Sequence, residues 1–428
     1  MSSRRDHPRP VGHSSSFLVA RSWVGPVSAV VLLGACVTPA QPSPDDVSVK
    51  LQAVLDQAAA FEQSPGMVMA VQLGDSTPWI GVTGCEDEAC TRKMTPEAKF
   101  RVGSITKNFV GTAILQQVDE GKVHLDDTLE KWLPGVFSHI DGNGITVRQL
   151  LNHTSGIESF TESLRWQTTV YESPTQPWND PYELLKLADE LRAANSQVLP
   201  PGSQFFYSNT NYVLLGMIAA KADGHPVTDW PVVLQERFFN RLALRDTRVP
   251  ARGEVGLGST NRGYVNFYNL FLDPATGRSA CSPPFEPPCE NKDVDFTEQD
   301  VSNAGAAGAI ISTVGDLLTW TKAVTKGGLL SRELLRQQQS FFKGCPPAPA
   351  ECPPGQIEVG LAMFRQPRYG FIGIRGEIHG FNGTIQYLPE KDLTVVVLSN
   401  RTALDDRDVG PVPESVAAAL YPALKTRN

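Results

Sequence analysis

The sequence predicts an α/β protein of the α+β kind: one antiparallel sheet flanked by helices and interrupted by a mostly helical insertion. Two observations carry this prediction. Short β-branched runs occur near the start of the folded region and again throughout the last third, while the stretch between them reads as helices joined by long loops. The sheet is therefore expected from about residues 47–105 and 305–428, and the insertion from about 106–304. No internal repeat is present.

Taken in order, Val47 to Ala60 has the spacing of an amphipathic helix, and Met67 to Leu73 and Trp79 to Thr83 read as strands. Phe100-Arg101-Val102 reads as the end of another strand. Ile105, Phe109, Val110, Ile114, Leu115 and Val118 then form an apolar helical surface that Gly121 stops. Gly253 to Phe296 is rich in Gly, Pro and Asn and shows no periodicity. Thr313-Val314-Gly315-Asp316 reads as a capping box opening the helix Leu317 to Val324. Strands are expected at Ile357 to Phe364, Tyr369 to Ile374, Gly383 to Tyr387 and Leu393 to Ser399. A helix from Pro413 to Leu424 closes the chain.

The first 36 residues are read as a leader rather than fold. Arg4, Arg5, Arg9 and Arg21 precede an apolar run, Trp23 to Leu33, that is short for a membrane span. Leu33-Gly34-Ala35-Cys36 matches a lipoprotein cleavage box, which makes Cys36 the expected lipidation site and the membrane a partner through that anchor. Residues 37–46 have the character of a tether. The expected location is the outer face of a bacterial cell envelope, periplasmic or extracellular.

Of seven cysteines, six remain beyond Cys36, in three local pairs: Cys85 with Cys90, Cys281 with Cys289, and Cys345 with Cys352. An even remainder in a secreted chain suggests disulfides, although six cysteines allow about fifteen connectivities. The net charge of −8 and the absence of a basic cluster argue against nucleic acid as a partner. The seven histidines are scattered, with neither a His-Glu-x-x-His nor a Gly-Lys-Ser/Thr loop, so no metal or other cofactor is expected. The nucleophile-elbow motif Gly-x-Ser-x-Gly is also absent.

The chemistry is concentrated at Gly103-Ser104-Ile105-Thr106-Lys107. Serine and lysine three apart at a helix start share a face, so Lys107 can reach the Ser104 hydroxyl and act as its base. The positive end of the helix dipole favours an alkoxide there and helps Lys107 lose its proton. A second Ser-x-x-Lys, Ser340-Phe341-Phe342-Lys343, ends a helical stretch and so stands at the wrong end for such activation.

Four segments give Ser104 its context: Phe100 to Pro134; Ile145 to Ile157, ITVRQLLNHTSGI; Pro201 to Ile218, PGSQFFYSNTNYVLLGMI; and Gly376 to Asn400, GEIHGFNGTIQYLPEKDLTVVVLSN. On these the chain resembles the serine β-lactamase-like family, in its class C β-lactamase, D-Ala-D-Ala carboxypeptidase and esterase branch. The resemblance spans most of the chain beyond the leader. It implies a β-lactamase/transpeptidase-like fold and a serine hydrolase with the catalytic group in a cleft between sheet and helices.

The resemblance also offers a second element, Tyr207-Ser208-Asn209, with Tyr207 as proton relay and Asn209 holding lysine and substrate. Tyr264-Val265-Asn266 has the same spacing but lies where an exposed loop is expected. The third element falls on Ile374-Arg375-Gly376, where relatives carry a histidine or lysine first. Here that position is isoleucine. Gly376 is retained, which would let a substrate backbone approach the strand, and the oxyanion hole would use the N–H groups of Ser104 and Glu377. Arg375 brings a cation one residue away and is kept as a candidate substrate-binding residue, although alternation along a strand should turn it out of the cleft unless the strand is bulged. His379 is read as a partly exposed strand or turn residue and His153 as a structural loop histidine.

The resulting expectation is a lipid-anchored hydrolase acting through an acyl-enzyme on a small-molecule or peptidoglycan-derived amide or ester. The alternative is a non-catalytic relative serving as a binding or scaffold module in the envelope, which the missing histidine favours.

Overall fold

A computed structural model of the chain describes residues 44–178, 181–195, 199–266, 272–273, 278–279, 292–344, 357–402 and 409–424. Its centre is an eight-stranded antiparallel sheet. The order across it is Trp79–Gly84, Gly66–Leu73, Leu393–Ser399, Phe381–Leu388, Ile372–Ile378, Phe364–Arg365, Glu358–Val359 and Phe342–Lys343. The N-terminal hairpin thus pairs with the last strand of the chain, with Met67 opposite Ser399 and Leu73 opposite Leu393. This is the closure expected when strands come from both ends.

Both faces of the sheet are covered, which explains why its central strands read as continuous apolar runs. On one face, Leu51 and Leu55 of helix Pro44–Glu62 and Val416 of helix Val412–Leu420 pack with Met67, Met69, Val395 and Val397. On the other, Val68, Ala70, Ile374, Ile385, Val396 and Leu398 belong to the larger core that includes helix Ile105–Asp119. That helix is buried nearly all round, so its polar side chains need internal partners. Asn108 donates to the Ala362 carbonyl at 2.8 Å and accepts from the Trp320 indole N–H at 2.9 Å, while Thr112 donates to the Asn108 carbonyl at 2.6 Å.

Several element boundaries differ from expectation. The first helix starts at Pro44, inside the expected tether, with Asp45 and Asp46 in its first turn, where negative charge suits the helix dipole. The run Ile357 to Phe364 is a tight hairpin of two short strands, with Ala362 in the left-handed region at φ 56° between them. The next strand begins at Ile372 rather than Tyr369, because residues 366–370 form a turn closed by the Gly370 N–H on the Gln366 carbonyl. The capping box at Thr313 is half made. Thr313 accepts from the Asp316 N–H, but the Asp316 carboxylate accepts from Asp246 and Thr247 instead. The aperiodic insertion contains paired short strands, Tyr264–Val265 with Val294–Asp295 and Leu272–Asp273 with Arg278–Ser279.

Cys85 and Cys90 form a disulfide. Cys36 and the pairs Cys281–Cys289 and Cys345–Cys352 lie outside the described residues.

Candidate active site

Ser104 is the residue immediately before helix Ile105–Asp119, and its side chain does not cap that helix. The hydroxyl is engaged elsewhere: Lys107 Nζ and the Tyr207 phenol both lie 2.8 Å from Ser104 Oγ. Lys107 is fully buried, and its amine has two further neighbours, Asn209 Oδ1 and the Ala307 carbonyl, each at 2.8 Å. Those two atoms only accept hydrogen bonds. A neutral amine would therefore spend its two N–H groups on them and turn its lone pair to the Ser104 hydroxyl. Burial pushes the Lys107 amine well below its ordinary value, which favours that neutral form. The Tyr207 phenol moves the other way: burial raises it to about 12 against the pull of its bond to Ser104, so it stays a proton donor near neutral pH. One group is set to take a proton and the other to give one.

Tyr207 and Asn209 sit on the turn leading into helix Thr210–Ala222, which is buried over most of its length. The Asn209 amide is oriented by its Nδ2, 3.2 Å from both Ser159 Oγ and Thr161 Oγ1, which leaves Oδ1 for lysine. In this arrangement the amide nitrogen serves the protein rather than a free substrate position. His153 is a structural histidine of unexpected reach. Held at φ 58°, its ring stacks on Tyr207 at 4.4 Å, and its Nδ1 accepts the Ser208 N–H at 3.1 Å.

The third element comes from the strand Ile372–Ile378, which runs directly against the Ser104 turn. A Cβ on Gly376 would lie 2.0 Å from the Val102 carbonyl and 3.0 Å from the Ser104 nitrogen. A Cβ on Gly103, at φ 51°, would lie 2.4 Å from the Glu377 carbonyl oxygen. Two glycines thus allow backbone to meet backbone here. Gly376 also lines the cleft, so contact with the nucleophile turn is a second requirement for glycine here, beside the room for substrate expected of it. The same contact brings together the segments that hold the Ser104 and Glu377 N–H groups.

Ile374 is 2% exposed and packs in the core opposite Ile385, so it offers the site neither charge nor proton. Arg375 lies opposite Thr384 in an unbroken register, on the other sheet face. It nevertheless lines the cleft, because the cleft continues past the sheet to Gln386 and Val409 on that face. Arg375 therefore lines the cleft without the bulge that this was expected to need.

Ser104 stands between two lobes of this cleft. The first is lined by Phe205, Tyr207, Ile357, Phe364, Ile374 and Arg375, among others. The second is lined by Phe160, Glu162, Trp166, Tyr171, Asn303 and His379, among others. Ser104 and Glu377 line both. His379 is half-buried in the turn after its strand, as expected, but its ring faces the second lobe rather than serving only the surface.

The rival triplet is structural. Tyr264 is buried in a short strand and its hydroxyl accepts the Glu88 N–H at 2.9 Å, which corrects the expectation of an exposed loop. Lys343 of the second Ser-x-x-Lys is exposed on the edge strand of the sheet. Sequence reasoning missed the Ala307 carbonyl, Ser159, Thr161 and the second lobe. A backbone acceptor carries no residue signal, and the hydroxyl pair looks like ordinary loop composition.

The geometry can be set beside known proteins. Residues 51–417 match the family model Beta-lactamase. Penicillin-binding protein 4* of Bacillus subtilis (strain 168) is 28% identical over 199 residues, which are 46% of this chain and 41% of that protein, so the chain spans under half of its length. Among solved structures, the D-stereospecific amidohydrolase from Streptomyces sp. is 29% identical with a TM-score of 0.68, covering 89% of this chain and 99% of that one. The D-amino acid amidase from Ochrobactrum anthropi SV3 complexed with L-phenylalanine is 26% identical with a TM-score of 0.69, covering 87% and 98%. With the family model spanning nearly all of the described residues and the sheet and helices in the arrangement of these structures, the chain belongs to the beta-lactamase family.

Proposed function

We propose that the protein hydrolyses amide or ester bonds of small substrates through an acyl-enzyme on Ser104. The observation that carries this reading is the Lys107–Ser104–Tyr207 group, with both partners 2.8 Å from Ser104 Oγ. Ser104 Oγ attacks the carbonyl carbon and passes its proton to Lys107 Nζ. The negative oxygen that forms is met by the N–H groups of Ser104 and Glu377. Collapse breaks the bond to the leaving nitrogen or oxygen, which takes a proton through Tyr207. Water then cleaves the ester on Ser104, releasing the acid and restoring the hydroxyl. Asn209 and the Ala307 carbonyl hold Lys107 throughout.

Tyr207→Phe keeps the ring stacked on His153 and removes only the relay, so acylation should slow by about 10²–10⁴-fold, as for loss of a general acid. Single-turnover kinetics with an activated ester and with the corresponding amide measure this. The amide should suffer more because its leaving group needs the proton. Equal rates in wild type and variant with both substrates would remove Tyr207 from the mechanism.

The buried Ile374 supports a second reading, in which the cleft binds or is acylated without turnover. A stable adduct on Ser104 with no released acid would favour that reading over hydrolysis. In either case Cys36 is proposed to carry the lipid that fixes the protein to the cell envelope.

A further inference from the structure

His153 carries an ionisable ring that the acyl-transfer steps leave unused. It is buried and, among the described residues, lines neither lobe of the cleft, so it stands behind the site rather than in it. Its contacts toward the site converge on three consecutive residues. The His153 carbonyl accepts the Phe206 N–H at 2.7 Å, its Nδ1 accepts the Ser208 N–H at 3.1 Å, and its ring lies on that of Tyr207 at 4.4 Å with 23° between the planes. One residue thus holds Tyr207 by the backbone on each side and by the ring between.

The backbone at φ 58° belongs to the left-handed region, which histidine enters more readily than most residues. The imidazole is kept there at a cost. Asn211 Nδ2 lies 3.4 Å from His153 Nδ1, beside the Ser208 N–H, and Asn211 is oriented by its Oδ1, which accepts the Ser155 hydroxyl at 2.7 Å. Two donors therefore point at Nδ1, and the ring hydrogen belongs on Nε2. Burial pushes the imidazole well below its ordinary value, which keeps Nδ1 an acceptor. Nε2 is buried without a hydrogen-bond partner among the described residues, a cost that a phenyl ring filling the same space would avoid. What the nitrogen adds to the packing is the acceptor for Ser208. The Tyr207 hydroxyl, for its part, has its hydrogen bond among the described residues with Ser104 Oγ, so its aim is set by whatever holds its ring and main chain.

We propose that His153 is a positioning residue for the proton relay: it clamps the segment Phe206 to Ser208 so that the Tyr207 hydroxyl stays on Ser104 Oγ. It acts through Tyr207 and touches neither substrate nor the reacting atoms. The inference rests on the reading of Tyr207 as proton donor to the leaving group. A slack Tyr207 should slow the departure of a basic leaving group and leave substrate binding nearly as it was.

The test is a double-mutant cycle of His153→Asn and Tyr207→Phe, read by single-turnover acylation. Benzyl acetate has an alkoxide that must be protonated to leave, and p-nitrophenyl acetate a phenolate that leaves without a proton. Asparagine tolerates the positive φ and keeps an acceptor near the Nδ1 position, but loses the ring. His153→Asn should lower the limiting acylation rate with benzyl acetate by about tenfold or more, with half-saturation within about twofold, and should affect p-nitrophenyl acetate less. In the Tyr207→Phe background the same change should cost under about twofold, because the hydroxyl it aims is gone. His153→Phe, which keeps a ring without the acceptor, carries the same cycle if the asparagine variant does not fold. Equal losses on both esters that repeat in full in the Tyr207→Phe background would reduce His153 to packing and overturn the proposal, as would unchanged rates. If Tyr207→Phe alone changes neither rate, or neither ester acylates Ser104, the underlying reading fails instead. The fluorine resonance of fluorotyrosine at position 207, assigned by its absence in Tyr207→Phe, then judges the clamp by itself. It should shift or broaden in His153→Asn, and an unmoved resonance would overturn the proposal.

Discussion

Lys107 Nζ stands 2.8 Å from Ser104 Oγ, and its other polar neighbours, Asn209 Oδ1 and the Ala307 carbonyl, can only accept. That arrangement suits an amine with two hydrogens and one lone pair. Since burial already pushes Lys107 well below its ordinary value, geometry and electrostatics favour the same protonation state.

The first prediction is a pH dependence of one sign. If the neutral amine is the base, kcat/KM for acylation should rise as pH climbs through the depressed Lys107 value. It should then stay level, because Tyr207 does not ionise until about 12. Stopped-flow acylation with an uncharged activated ester, from about pH 5 to 10, reads this out. Activity that falls over the same interval would mean that an ammonium is required.

Gly376→Ala should cost both stability and activity. The added Cβ would lie 2.0 Å from the Val102 carbonyl, and backbone, unlike a flexible side chain, cannot swing aside. A loss of about 1–3 kcal/mol or more is expected, seen as a lower urea midpoint. Acylation should fall further than stability alone explains, because the displaced segment carries Ser104. Wild-type acylation in this variant would show that the contact between strand and turn does not set the site.

Acid sensitivity should come from the cluster around Arg237. Its guanidinium binds Glu120 at 2.7 and 2.9 Å and Asp223 at 2.6 Å, joining the C-terminal ends of two buried helices. Hydrogen bonds from Arg237 hold Glu120 down to about 2. Burial opposes ionisation of Asp223, but Arg237 and Lys122 outweigh it and bring that carboxyl to about 2 as well. Because both folded values are depressed, the stability they confer is present above the unfolded carboxyl range near ~4 and is lost as pH falls toward 2. Arg237→Met should cost about 3 kcal/mol at neutral pH and flatten that acid dependence. Urea titrations of both proteins near pH 7 and pH 3 check it, and an unchanged acid slope would point to other carboxylates.

The covalent expectations at the termini and insertions are tested together. Non-reducing peptide mapping should recover Cys281–Cys289 and Cys345–Cys352 beside Cys85–Cys90. Detergent partitioning should move the native protein, but not Cys36→Ser, into the detergent phase. Free thiols at Cys281, Cys289, Cys345 and Cys352, or identical partitioning, would contradict the envelope assignment.

The legible parts of this fold were those written in side chains. The run from Leu393 to Ser399 reads as a strand and is one, because a strand buried on both faces needs a continuous apolar stretch. Ser104 and Lys107 were legible because helix geometry alone sets their separation. What stayed hidden depends on long-range contact. The Ala307 carbonyl reaches Lys107 from 200 residues away in the chain, and nothing in an alanine announces it. His379 read as a turn residue, and its turn is where expected. Its aromatic surroundings come from Trp166, Tyr171 and Phe296, which only the folded insertion brings near. Arg375 shows the limit of alternation as a guide: the register is regular, but the cleft crosses the sheet boundary.

Intact-mass spectrometry after brief incubation with an activated ester tests the central claim most directly, in wild type, Ser104→Ala and Lys107→Ala. Wild type should gain the mass of one acyl group, mapped to the peptide bearing Ser104, and lose it as free acid accumulates. Ser104→Ala should gain none while unfolding at the wild-type urea midpoint, and Lys107→Ala should acylate slower by about 10²-fold or more. Acylation of Ser104→Ala at the wild-type rate, or an adduct mapped to Ser340, would contradict the account.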